Sequence, residues 1–396
     1  MSEIWEDRTS LELPEDISLI RDTVRTFARE KVAPIAAKID SEHLYPKEII
    51  SELGALGFLG ALIPEEFGGT ALSQVAYALI IEELAVECAS TSIIVSAHSS
   101  LCSWPIVNYG TIEQKKNYLP QLAQGAKIGC FALSEPGCGS DAASLTTIYK
   151  EKEGKIILNG CKNWITNAPE AGICIVFATS DVAAGHKGVT AFVHRLPFPG
   201  VTIGKKEDKL GICGSPTASI TYQDVVLSEE NILGGRGAGF KVAMSTLNGG
   251  RIGVAAQAVG IARASLRDSL IYARERKSFG KAIGYHQSIQ NYLADMNIKV
   301  DASRHLTMTA AQLKDRGMEY GREAAMAKLF ASEAAVDCAL KCIQIHGGYG
   351  YVKDYPAERH LRDAKITEIY EGTSEIQRIV IATDLMKMGG NSGGNR

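Results

Sequence analysis

Long apolar runs are missing from this 396-residue chain: none approaches the roughly 18 residues that a membrane span requires, so no span is expected. Ligand-spaced cysteines and histidines are missing too. The nine cysteines are odd in number and scattered, and the closest pair, Cys338 and Cys342, stands at helical spacing. That pattern fits reduced, mostly buried thiols better than a disulfide framework or a zinc site. HExxH and an EF-hand loop do not occur, GxSxG occurs only as GNSGG in the Gly-rich tail, away from any strand-turn-helix context, and the eight histidines are dispersed, which excludes the common metalloenzyme and hydrolase signatures and leaves no metal to expect. An excess of one charge sign is lacking as well. A formal net charge of −3 with interspersed signs offers no field for a nucleic acid or an anionic membrane. The opening MSEIWEDRTS has neither a basic-then-apolar secretory pattern nor the Arg-rich, acid-poor character of a transit peptide. A cytoplasmic protein is the expectation, and because a removed presequence would leave no trace, a mitochondrial matrix stays open.

What is present, 45% hydrophobic and 22% charged residues, suits a soluble globular protein of two or three domains. Residues 1–126 read as a helical domain. Ile17, Ile20, Val24, Phe27 and Ala28 fall on one apolar stripe, and KEIISELGALGF and SQVAYALIIEELAVE continue the pattern. From 127 to 237 the period shortens. KIGCFALSE, ASLTTIYKE, KIILNGCKNWITNA, GICIVFATS, VTAFVHR and SITYQDVVL are short, β-branched and aromatic, and predict a middle antiparallel β-domain. From 238 to 388 three long periodic segments and a shorter one from about Ser374 predict a C-terminal four-helix bundle. The first is rich in Gly and Ala, which permits close approach of another helix or a ligand. GGNSGGNR, 389–396, is expected to be disordered.

Several stretches carry candidate chemistry. EPGCGSDA contains Gly137-x-Gly139-x-x-Ala142, a fit to the dinucleotide fingerprint, but strand rather than helix follows, so the Rossmann reading fails on context. A strand-to-strand loop able to offer N–H groups and the Ser140 hydroxyl to a phosphate survives, beside the plainer reading of a tight turn. In KNWITNA, Trp164 and Thr166 share a strand face; a core tryptophan is the default, a flank for a flat heteroaromatic ring the alternative. Arg276 and Phe279 in ARERKSFG suit a phosphate clamp and a ring contact, or simply a solvated surface. Gly347 and Gly348 close a helix, with a C-cap as the plain role. In ITEIYEGTSEIQ, Ser374 and Gln377 form a capping-box pattern, so Glu375 sits in a first helical turn and complements its dipole. Glu368, among Arg362, Asp363 and Lys365, reads as an ion-pair partner. Glu371 is left on the loop between, idle or catalytic.

FALSEPGCGSD, KNWITNA, RERKSFGKAIGYHQ and GGYGYVKDYPAERHLRDAKITEIYEGTSEIQR, in their α, β, α order, closely resemble the acyl-CoA dehydrogenases over nearly the whole chain. The resemblance implies a homotetrameric FAD enzyme that desaturates an acyl-CoA and hands electrons to an electron-transfer flavoprotein. It makes Glu371 the base. It assigns FAD contacts to Phe131, Leu133, Ser134, Ser140, Trp164, Thr166, Thr373 and Glu375. Arg276, Phe279, Gln287, Gln344, Gly347 and Gly348 match positions that hold a neighbouring subunit's FAD, and Ser140, Asn248, Arg251 and Gly372 match acyl-CoA contacts. Isovaleryl-type and long-chain members place their base at the position of Gly250, which favours Glu371 here. The arginine of glutaryl-type members is absent from ASTSIIVSAHSSL, and Asn248 replaces an Asp common in short-chain relatives. The likeness is greatest to short-chain, butyryl-type and short-branched-chain members. The same scaffold also serves enoyl-CoA reductases, acyl-CoA oxidases and non-catalytic helical binding proteins, which stand as alternatives.

Overall fold

The structure, a computed structural model, describes residues 13–390. The opening MSEIWEDRTS lies outside the described residues, as does most of the segment 389–396, whose first two residues belong to the last helix. Among the described residues seven α-helices precede the sheet: α1 (Glu15–Phe27), α2 (Ala36–Ser41), α3 (Lys47–Ala55), α4 (Gln74–Glu87), α5 (Ala89–Ser96), α6 (Trp104–Tyr109) and α7 (Ile112–Ala123). A π-helical segment, Ala97–Ser103, joins α5 to α6. On α1 the stripe buries Val24 and Phe27 fully, while Ile17 and Ile20 pack partly exposed at its edge. By contrast α4 is apolar on nearly every side and buried throughout, as a helix must be when it has no polar face to give to water.

The middle region is a sheet of eight strands, β1 (Ile128–Ala132), β2 (Ile148–Lys152), β3 (Lys155–Thr166), β4 (Ala171–Thr179), β5 (Val189–Arg195), β6 (Val201–Ile203), β7 (Thr217–Leu227) and β8 (Ile232–Leu233). They run in the order β6-β7-β3-β2-β4-β5-β8, with β1 also on β4. The expectation of an antiparallel domain is corrected at one place: β1 lies parallel to β4, and β2 touches β4 in the same sense. The loop and β2–β3 hairpin between β1 and β4 supply the long crossover that parallel pairing needs. Both faces of β4 are covered. Ile173, Ile175 and Phe177 pack with Ile106, Leu119, Leu122 and Val242, whereas Cys174, Val176 and Ala178 pack with Ile156, Leu158 and Phe192.

Helices return as α8 (Gly239–Glu275), α9 (Gln287–Asp315), α10 (Gly321–His346), α11 (Ala357–Ile366) and α12 (Ser374–Gly390). The two helical regions share one core, in which Tyr77, Ile80 and Leu84 of α4 meet Ile252, Val259 and Leu266 of α8 and Met296 and Val300 of α9. Gly260 is where α4 comes closest, since a Cβ there would collide with Ala85 and the Glu82 carbonyl. Beside it lies a buried ionic network. Arg263 donates to Glu82 at 2.7 Å and Glu83 at 2.9 Å, Arg304 reaches Glu82, and Arg25 meets Glu83 at 3.0 Å. Such pairs gain little net stability, but removing one member leaves a buried charge uncompensated.

Candidate active site

The chain leaves α11 through a tight turn and enters α12 at Ser374. Lys365 pairs with Glu368 at 2.5 Å, so the middle acid of this stretch is the one left over. The cap differs from the sequence reading by one residue. Thr373, not Ser374, accepts from the Ile376 N–H, at 3.4 Å, and Gln377 turns back to donate to the carbonyls of Gly372 (2.8 Å) and Glu371 (3.3 Å). Ser374 is the first helical residue and its buried Oγ has no hydrogen-bond partner, so the pattern Ser-x-x-Gln matched by coincidence of spacing. Glu375 is exposed in the first turn, with its carboxyl held below the usual range by its own N–H and by Thr373.

Glu371 adopts φ 53° and Gly372 φ 94°. For a side chain with a Cβ the left-handed region costs about 1–2 kcal/mol, a strain tolerated when the surroundings over-determine it. Here the turn aims the side chain inward. The residue as a whole is partly exposed, but both carboxylate oxygens are buried and have no hydrogen-bond partner. Burial pushes the carboxyl up to about 7 against the opposing charges of Lys328 and Arg251. A Cβ on Gly250 would land on Oε2 and within 2.9 Å of Leu101 Cδ2, so the absence of a side chain on α8 is what makes room for this acid.

Inward of Gly250, one turn along α8, Gly253 faces Tyr77 and Ser96, whose hydroxyls bond each other at 3.0 Å. Outward, Arg251 donates to Asn248 at 2.7 Å and keeps its Nε unpartnered and buried. Asn248 in turn borders a cleft of about 510 Å³ lined by His186, Lys187, Phe240, Lys241, Met244 and Ser245. Along α8 a cleft bordered by two lysines, a buried acid and a hydroxyl pair thus follow one another at Asn248, Gly250 and Gly253.

The β-domain contributes a second group. In β3 the register slips between Lys162 and Ile165, and this bulge turns Trp164 outward although Lys162, two residues earlier, is buried. Trp164 is 60% exposed at φ 60°, which overturns the default of a core tryptophan; partly exposed Thr166 follows it beyond buried Ile165. Asn163 N donates to the Ser134 carbonyl at 2.9 Å, which draws the loop after β1 against the bulge. That loop hangs on Glu135. Its carboxylate accepts Lys162 Nζ (2.8 Å) and the N–H groups of Thr146 and Thr147, and these partners hold it down to about 2. Gly137, Gly139 and Ser140 project from this anchor into open space; a single 3-10 turn, Ala142–Ser144, separates them from β2. Leu133 is buried, and Phe131 tilts against Phe177.

A third group gathers at the far ends of α8 and α10. Arg276 lies over Tyr349 at 5.9 Å and Phe279, 96% exposed at φ 47°, touches His286 edge-on. Gln287, Gln344, Gly347 and Gly348 are exposed around them. Among the described residues no hydrogen bond or ring contact joins this group to Trp164 or Glu371.

Sequence reasoning missed Lys328, Lys162 and the Tyr77–Ser96 pair. Lys328 had a signal: it stands with Ala324, Ala331 and Ala335 on the apolar stripe of α10, and it is fully buried. The buried unpartnered atoms of Glu371, Arg251, Ser374 and Gln377 fit a site whose polar requirements a ligand completes.

Family models described as the N-terminal, middle and C-terminal domains of acyl-CoA dehydrogenase match residues 14–126, 130–225 and 237–386. The chain is 49% identical over 378 residues to the short-chain specific acyl-CoA dehydrogenase, mitochondrial, of Mus musculus, covering 96% of this chain and 92% of that protein. It superposes on butyryl-CoA dehydrogenase from Megasphaera elsdenii with TM-score 0.93 at 44% identity, over 95% of this chain and all of the other. A structure reported with the electron transferring flavoprotein of Acidaminococcus fermentans aligns with TM-score 0.94 and 45% identity, over 95% and 99% of the two chains.

Proposed function

The chain belongs to the acyl-CoA dehydrogenase family, and on that premise we propose that it desaturates a short-chain acyl-CoA to the trans-2-enoyl-CoA, with Glu371 removing the α-proton. The observation that carries this reading is the Glu371 carboxylate: buried, unpartnered and raised to about 7. An α-proton of a thioester is too weak an acid for a solvated carboxylate, and a desolvated one is a better base. The Glu371 N–H meets no backbone acceptor among the described residues, which leaves it to stabilise the thioester oxygen as negative charge develops. Arg251 and Asn248 then border the thioester, and Lys187 and Lys241 offer positive charge to the CoA phosphates.

FAD would supply the acceptor for the hydride that leaves the β-carbon. The exposed faces of Trp164 and Phe279, large aromatic surfaces with little protein against them, fit a flat cofactor better than water. Trp164, Thr166, Phe131, Leu133, Ser134, Ser140, Thr373 and Glu375 would hold it in this chain. Arg276, Phe279, Gln287, Gln344, Gly347 and Gly348, exposed at the ends of α8 and α10, would reach the FAD of a neighbouring copy. Exposed Ile298 of α9, Phe330 and Leu340 of α10, and Leu385 and Met386 of α12 suit a homotetramer that covers them. Electrons would pass to an electron-transfer flavoprotein. Among the described residues no helix is long and apolar enough to cross a membrane.

The Tyr77–Ser96 hydroxyl pair supports a short acyl group: it packs against Gly253, three residues and a rise of about 4.5 Å beyond Gly250 along α8. Anaerobic titration of the yellow protein with C4 to C12 acyl-CoAs tests both parts. Bleaching is expected to be strongest near C4 and lost in Glu371→Gln, whose turnover should fall by on the order of 10² or more with FAD retained. Near-normal turnover in that variant would overturn the assignment.

A further inference from the structure

We propose that Lys328 is a positioning residue for the reaction: from α10 it grips the Gly372 carbonyl, fixes the strained Glu371–Gly372 pair and places a positive charge behind the base. The inference rests on the reading of Glu371 as that base. Lys328 is fully buried, and its Nζ donates to Gly372 O at 2.7 Å. Gln377 holds the same carbonyl from α12 at 2.8 Å, so two donors from different helices clamp one peptide group. Two adjacent left-handed residues are costly to hold, and a carbonyl clamped on both sides cannot flip. Among the described residues Lys328 forms no ion pair with a carboxylate, which leaves its charge to act at short range on whatever the turn presents. A buried ammonium is an expensive way to satisfy one carbonyl when Gln377 already does so. Its charge therefore has a use beyond the hydrogen bond.

The groups facing the Glu371 carboxyl are Lys328 from α10, Arg251 from α8, Tyr77 from α4 and neighbouring Tyr370; Glu368 and Glu375 act on Lys328 in turn. Of these only Lys328 and Arg251 favour the ionised base. Removing Lys328 should raise the pH at which turnover sets in.

The test is Lys328→Met and Lys328→Arg in the FAD-loaded enzyme, with kcat followed from pH 5.5 to 9, and Gln377→Met as a clamp variant that keeps the charge. Lys328→Met is expected to lower kcat 10- to 100-fold with KM changed less than about threefold, and to move the acidic limb up by roughly one pH unit. Lys328→Arg should leave the limb in place and recover most of kcat. Gln377→Met should lower kcat without moving the limb. An unmoved limb in Lys328→Met overturns the proposal, even with kcat reduced, because a purely structural lysine gives that result. Should Lys328→Met fail to fold, Lys328→Gln carries the same two outcomes. Glu371→Gln separates the two readings: if it is inactive while Lys328→Met behaves as wild type, the base stands and the positioning role falls.

Discussion

Replacing Glu371 by Gln should make the protein more stable as pH rises, in the same variant that loses turnover. The reason is linkage. In the unfolded chain the carboxyl ionises near 4.5, whereas burial in the fold raises it to about 7. A group raised on folding contributes stability that is complete below its unfolded value and lost as pH climbs through its folded one. Between pH 5.5 and 7.5 the wild type should therefore lose roughly 2 kcal/mol that the glutamine variant keeps, at 1.36 kcal/mol for each pH unit spanned. The window closes at 7.5 because burial lowers Lys328 to about 8, and its own titration would intrude above that. For a chain of 396 residues this corresponds to about 2 °C in Tm. Thermal unfolding of the two FAD-loaded proteins, at equal concentration and at several pH values, measures the difference directly. The constant cost of burying an amide cancels, since only the change with pH is read. A difference in Tm that stays flat from pH 5.5 to 7.5 would refute the claim that the Glu371 carboxyl is desolvated.

Two other changes probe the surroundings. Gly250→Ala places a methyl group on Oε2 and against Leu101; since the far end of a flexible side chain can swing away, stability should change by less than about 1 kcal/mol while kcat falls at least about tenfold, as read by calorimetry and steady-state kinetics. Lys162→Met leaves the Glu135 carboxylate buried beside β3 without its cation and should cost about 3–5 kcal/mol, with weaker FAD retention on gel filtration because the loop bearing Ser140 loses its anchor.

The helices and most strands were legible because periodicity reports one thing well, the face an element turns to the core. Helix α4 and strand β4 show where that signal fades, since residues buried on every side lose their alternation. Trp164 was open to two readings for a different reason: a bulge inserts one residue, and sequence spacing does not reveal which side chain it turns outward. The cap of α12 shifted by one residue because Thr373 and Ser374 are both good caps, and only backbone geometry chooses between them. Strands β6 and β8 are too short to carry a period. Among the three glutamates of ITEIYEGTSEIQ, local charge and spacing gave Glu368 and Glu375 structural roles and left Glu371 idle or catalytic, and only the family resemblance pointed to it as the base. Its burial could not be foreseen, for it depends on Gly250 and Lys328, far away in the chain.

The core shared by α4 and α8 has a consequence for how the protein is made. Helix α4 emerges from the ribosome about 190 residues ahead of the end of α8. At ~5–20 residues per second, the part of its Ile- and Leu-rich surface that faces α8 spends roughly 10 to 40 s without that partner. The nascent chain in that interval is a natural client for a holding chaperone, and truncation before Glu275 should yield an aggregating fragment rather than a smaller folded one.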